Sequence, residues 1–151
     1  MALALMTVPT AAATPAHADL QVSIRNESES FGALIARGES DAAGGYNAYN
    51  TGAAGRTGPA IDFSALTVGE VMQRQASRLF FAVGRYQIIP ATLRDAVRAL
   101  DIDPASKFTP ALQDQIFSRY LAGSRRPTIK GYIIGESRDL DAAHLATAME
   151  W

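Results

Sequence analysis

The chain has 151 residues, 48% of them hydrophobic and 19% charged, with a mean hydropathy of zero. That composition buries a core, and the length suits one domain. Lys and Arg number 14 against 15 Asp and Glu, for a net charge of −1; with no basic block, this excludes a protein that holds nucleic acid by neutralising phosphates. The lack of cysteine removes disulfides, thiol catalysis and thiolate metal sites, and two distant histidines, His17 and His144, do not furnish a metal centre or a Ser-His triad. No metal or organic cofactor is implied.

Residues 1–18 carry no Asp, Glu, Lys or Arg and end on Ala16-His17-Ala18, a small-x-small pattern of the kind signal peptidase accepts. They read as a signal peptide cleaved before Asp19, so residues 19–151 would form an exported domain, periplasmic or secreted. The alternative is a disordered Ala/Pro/Thr arm, since no basic n-region is present. Pro9 and Pro15 interrupt the segment, which is too short to span a bilayer.

A first helix is expected from Ser28 to Arg37, with Phe31, Leu34 and Ile35 at helical spacing, Gly38 as its C-terminal glycine and Glu39 just beyond. From Asp41 to Gly58, glycines alternate with Tyr46, Asn47, Tyr49 and Asn50, which predicts a loop or short β-hairpin outside the core. Thr67-Val68-Gly69-Glu70 is a capping-box pattern that opens a helix to about Arg78, with Val68, Val71, Met72 and Leu79 on one side. After a break at Gly84, Pro90 starts a helix whose Leu93, Ala96, Val97 and Leu100 face inward. Thr109-Pro110 starts another, carrying Leu112, Ile116, Phe117, Tyr120 and Leu121 to Gly123. Pro127 opens a short helix that stops near Gly135. The last, from about Asp139, uses Leu140, Leu145, Ala148 and Met149 and reaches Trp151 with no stop signal, like a chain cut inside an element. The sum is an α+β, mainly α domain of five or six short helices and one Gly/Asn/Tyr-rich lobe.

Carboxylates, amides and tyrosines are therefore the material for chemistry. Gly38-Glu39-Ser40 places a carboxylate at a helix end, next to a polar, aromatic-bearing loop that can wall a cleft; the competing reading is a solvated surface glutamate. In Gly84-Arg85-Tyr86-Gln87-Ile88-Ile89-Pro90-Ala91-Thr92, Tyr86 and Gln87 are suited to stacking on a sugar and bonding its hydroxyl and N-acetyl groups. The same residues also suit a buried tyrosine with a satisfied hydroxyl and a glutamine closing a helix terminus. Arg125-Arg126 is either a contact for anionic peptides or a solvated pair. His144 reads as a packed or surface residue, and Trp151 as core.

In their order and distance, the Glu-Ser pair after the first helix, the Gly/Asn/Tyr-rich lobe and Gly-Arg-Tyr-Gln-Ile-Ile-Pro-Ala-Thr opening a helix resemble the lysozyme-like lytic transglycosylases and muramidases, most closely the phage lambda lysozyme type. The resemblance covers roughly Phe31 to Trp151. It implies a lysozyme-like domain acting on peptidoglycan glycan strands, with Glu39 as the single catalytic acid. Tyr86 and Gln87 would hold the sugar, with Ser40 and Arg85 beside them in the two motifs and Tyr46, Tyr49 and Asn50 in the opposite wall. The expected reaction is cleavage of the β-1,4 bond between MurNAc and GlcNAc by a lytic transglycosylase. A muramidase that positions water with Asp41 or Asp62 is one alternative, and a non-catalytic peptidoglycan-binding or secretion-apparatus module is another. A single acid suffices for a transglycosylase, because the muramic 6-hydroxyl is an intramolecular nucleophile and no second carboxylate need activate water. Such an acid should have its pKa raised by apolar burial, for which Phe80, Phe81 and Ile88 are candidate neighbours.

Overall fold

The computed structural model describes residues 30–52 and 59–151. The signal-peptide reading, Ser28 as a cap, Gly55 and Gly58 lie outside the described residues. The fold is mainly helical: α1 (30–39), α2 (Val68–Ala76), α3 (Pro90–Ala99), α4 (Pro110–Ile116), α5 (Pro127–Ile133) and α6 (Leu140–Ala148). Extended pairing among the described residues is limited to isolated antiparallel bridges, of Tyr49 and Ile88 with Val83 and of Thr67 with Lys107. No described helix is long and apolar enough to cross a membrane.

The caps act as their chemistry dictates. Thr67 Oγ1 accepts from the Glu70 amide while the Glu70 carboxylate accepts from the Thr67 amide, a complete capping box at the start of α2. Proline occupies the first turn of α3, α4 and α5, where its missing N–H is no loss. Thr109 and Asp139 cap α4 and α6 through their side chains. Beyond Ile116 the chain continues in a wider turn, Phe117–Arg125, until Gly123 leaves helical geometry (φ −98°, ψ −108°) ahead of Pro127.

Three expectations need correction. Helix α1 does not stop at Gly38 but runs through it, so Glu39 is its last residue; the left-handed glycine that redirects the chain is Gly44, φ 112°, after a short 3-10 turn at Asp41–Ala43. Helix α2 ends at Ala76, so Leu79 lies past the helix and is 60% exposed, while buried Gln75 takes the inward position and donates to the Phe81 and Ile88 carbonyls. In α6 the predicted inward face is reversed: Leu140, Leu145 and Met149 are exposed, whereas Ala143 is buried and Ala146 packs on the core. Small residues allow α6 close against α5, its main contact, and that closeness outweighs burying the larger side chains.

The core is built on Phe63, Val68, Val71, Leu93, Ala96, Phe108 and Ile116, all fully buried. Phe63 meets Tyr49, Phe80 and Phe108 edge-on, at centroid separations of 6.3, 5.5 and 5.7 Å. Tyr49 therefore belongs to the core and not to an outer loop, as does Ala48 before it. Phe117 anchors a second aromatic group with Phe31, Tyr86 and Trp151. Helix α1 approaches it over Gly32, where a β-carbon would stand 3.1 Å from the Tyr86 hydroxyl and 3.2 Å from the Phe117 ring.

Candidate active site

The site begins at the C-terminal end of α1. Ser40 is 2% exposed. Its hydroxyl donates to the Arg85 carbonyl at 2.6 Å, and its carbonyl accepts the amides of Ala43 and Gly45. This seats the residue after Glu39 on the Gly84–Gln87 turn, joining the two sequence motifs. Glu39 itself is half-buried. Its carboxyl has no hydrogen-bond or ion-pair partner among the described residues, and burial alone raises its pKa above the ordinary glutamate value. Burial thus favours the protonated form of this carboxyl more than in a freely solvated glutamate.

The facing turn is pinned at both ends. Val83 and Ile88 exchange backbone bonds of 3.2 and 2.9 Å, and the Gly84 amide donates to the Ala48 carbonyl at 2.7 Å. Gly84 (φ 73°) and Gln87 (φ 47°) are both left-handed, a costly state for glutamine. Two side-chain bonds offset that cost: Gln87 Nε2 donates to the Gly84 carbonyl at 3.0 Å, and Gln87 Oε1 accepts from Asn50 Nδ2 at 2.9 Å. Asn50 Oδ1 accepts the Gly52 amide. Asn50 and Gln87 are both half-buried, so a polar ladder with open edges lines this side.

The tyrosines are placed differently from one another. Tyr46 is half-buried; its ring lies under the Arg85 guanidinium, 4.9 Å from centroid to carbon, and its hydroxyl accepts from Arg85 Nη1 at 2.7 Å. The same hydroxyl donates to Asp114 at 2.9 Å, and that of Tyr86 donates to Asp114 Oδ1 at 2.7 Å. Burial first, then the Asp114 carboxylate, push both tyrosine pKa values up, so both hydroxyls remain donors. Tyr86 is 4% exposed and stacks on Phe117 at 4.2 Å, and Tyr49 gives its hydroxyl to the Pro59 carbonyl from within the core. Of the residues expected to touch a sugar, Ser40, Tyr49 and Tyr86 are therefore spent inside the fold. Glu39, Tyr46, Asn50, Arg85 and Gln87 keep open surface.

Sequence reasoning missed Gln113 and Asp114. Gln113 is fully buried; its Oε1 accepts the Arg85 amide and its Nε2 donates to the Tyr46 and Phe108 carbonyls. Two adjacent polar residues inside an apolar helical pattern were the available signal. Of the two acids considered for positioning water, Asp62 is exposed and caps a 3-10 turn through the Ser64 amide, and Asp41 is exposed in the turn after Ser40. Arg125 and Arg126 are not free for an anionic ligand, since both donate to Glu150 at 2.8–2.9 Å. His144 lies on the surface.

Comparison with known proteins returns no match, whether to a family model, a curated sequence or a solved structure.

Proposed function

We propose that this chain is an exported peptidoglycan glycosidase, a lytic transglycosylase that cleaves the β-1,4 bond between MurNAc and GlcNAc. The observation that carries the reading is Glu39: half-buried, unpartnered among the described residues, raised in pKa by burial alone, and tied through Ser40 to a turn whose amide ladder faces solvent. A carboxyl whose protonated form is favoured by burial is suited to general-acid work.

In the proposed reaction Glu39 gives its proton to the glycosidic oxygen, the bond from that oxygen to the muramic anomeric carbon breaks, and GlcNAc leaves with a free 4-hydroxyl. The muramic 6-oxygen then bonds to the anomeric carbon, and its proton passes to the Glu39 carboxylate. The acid is regenerated, a 1,6-anhydro end is formed and no water is consumed. Such a route needs only one carboxylate, in keeping with the exposed position of Asp41 and the exposed, turn-capping position of Asp62. Gln87, Asn50 and the Arg85–Tyr46 pair are the groups proposed to hold the sugar, because they belong to the segments that Ser40, next to Glu39, joins, and they retain exposed polar edges.

Mass spectrometry of soluble products from purified peptidoglycan tests this. Anhydro products that disappear with Glu39→Gln are the expected result. Products heavier by one water would identify a hydrolase instead, and cleavage unaffected by Glu39→Gln would remove that residue from the chemistry.

A further inference from the structure

Adjacent residues of an α-helix point about 100° apart, so two neighbours that hold the same partner must straddle it. Gln113 and Asp114 of α4 do this. Gln113 binds backbone, taking the Arg85 amide with Oε1 at 3.0 Å and reaching the Tyr46 carbonyl with Nε2 at 3.1 Å. Asp114 binds hydroxyls, those of Tyr46 and Tyr86. Each of the two segments that meet at Ser40 is thus held once by its main chain and once by its aromatic ring.

The grip depends on an empty space. A β-carbon on Gly84 would lie 2.3 Å from Gln113 Oε1, so only glycine lets the amide reach the turn. Asp114 also faces a cation it does not touch: Arg85 lies on the far side of the Tyr46 hydroxyl, which accepts from the guanidinium and donates to the carboxylate. Carboxylate, hydroxyl and guanidinium form a chain that fixes the plane of the Tyr46 ring. Ser40 closes the circuit, bonded to the Arg85 carbonyl and one residue from Glu39.

We infer that Asp114, acting with Gln113, is the positioning residue of this site: it fixes the Tyr46 segment against the Arg85–Gln87 turn, and so sets where the Glu39 carboxyl stands relative to a bound sugar. This rests on the proposed function for its catalytic consequence, while the clamp itself is a statement about the fold. A merely structural acid would lower stability and leave turnover by the folded fraction unchanged. A positioning acid lowers kcat with little change in KM, because the misplaced group acts in the transition state.

The experiment compares wild type, Glu39→Gln, Asp114→Leu, Asp114→Asn and Tyr86→Phe, well below each melting temperature. Two readouts are taken: kcat and KM on soluble glycan strands, and amide hydrogen exchange. Asp114→Leu is expected to lose about 100-fold in kcat, the scale of a 1 Å misplacement, with KM within about threefold. Asp114→Asn, which keeps an acceptor oxygen, should regain about tenfold of that loss, and Tyr86→Phe, which removes one of the two hydroxyls that Asp114 holds, should lower kcat in the same direction by less. Exchange should quicken at the Gly45 and Gln87 amides and not at Leu93 in α3.

Wild-type kcat in folded Asp114→Leu, or exchange that quickens equally in α3, overturns the inference. If Asp114→Leu does not fold, Asp114→Asn and Tyr86→Phe decide by the same criteria. If Glu39→Gln cleaves like wild type, the functional reading fails, and the exchange pattern alone then upholds or refutes the clamp.

Discussion

Glu39 is the last residue of α1 and Glu150 lies in the turn two residues past α6, and the fold treats them in opposite ways. The Glu150 side chain is 5% exposed and accepts from both Arg125 and Arg126, while Arg126 also donates to the neighbouring Met149 carbonyl. Glu39 is half-buried with no partner among the described residues. The protein has the means to neutralise a shielded carboxylate and uses them at the end of α6, where the acid fastens α6 to the α4–α5 junction. At the end of α1 it withholds them. A charge retained for architecture is paired; one left bare in partial burial is available to exchange a proton.

The sharpest way to break this contrast is Glu39→Gln. It should reduce glycan cleavage by about 1,000-fold, within the range for loss of a general acid, and leave the circular-dichroism spectrum unchanged. A residual rate above about one tenth would mean that the bare carboxylate is not the acid.

Glu150→Gln is the converse. It strands two arginines that are only partly exposed and should cost about 2 kcal/mol, seen as a melting temperature lower by roughly 5–10 °C. The folded fraction should cleave at the wild-type rate. Unchanged melting would show the arginine clasp to be ornamental.

Trp151→Phe makes a smaller cut at the same end. It keeps a ring against Phe31 and Phe117 but removes the indole donor to the Tyr86 carbonyl, which should cost about 1 kcal/mol. Chemical denaturation with an unchanged m-value would measure it.

The subtlest test is pH. A raised folded-state pKa means that the folded state holds the Glu39 proton more tightly than the unfolded chain does. The contribution is fully present below the ordinary value of 4.5 and is lost as pH rises through the raised one. Relative to wild type, Glu39→Gln should therefore gain melting temperature as pH rises above the ordinary value of 4.5. An identical pH dependence in the two proteins would mean that Glu39 is as hydrated as any surface glutamate.

Much of the architecture was legible because its signals are local. The Thr67–Glu70 box, proline at the head of α3, α4 and α5, and the breaks at Gly84 and Gly123 each depend on a few neighbouring residues, and all appear where the sequence put them. The inward face of α6 was misread because periodicity reports which residues are apolar and not how closely the neighbouring helix approaches; Ala143 prevails by being small. The order of the site was legible too, since Glu39-Ser40 and Arg85-Tyr86-Gln87 do meet. Which tyrosines remain open was not, because the burial of Tyr49 and Tyr86 depends on Phe63, Phe80, Phe117 and Asp114, all distant along the chain. Gln113 and Asp114 escaped notice for the same reason: their partners lie in two other segments.

One consequence of the aromatic group around Phe117 is optical. Trp151 is the chain's sole tryptophan, its indole N–H is bound to the Tyr86 carbonyl, and Tyr86 stands in sequence between Arg85 and Gln87, two of the residues proposed to hold the sugar. Its emission therefore has a single source, placed one bond from the turn that meets Ser40. Without any added label, a shift in its wavelength reports a change in the surroundings of that turn, and the protein carries its own gauge of whether a variant has disturbed it.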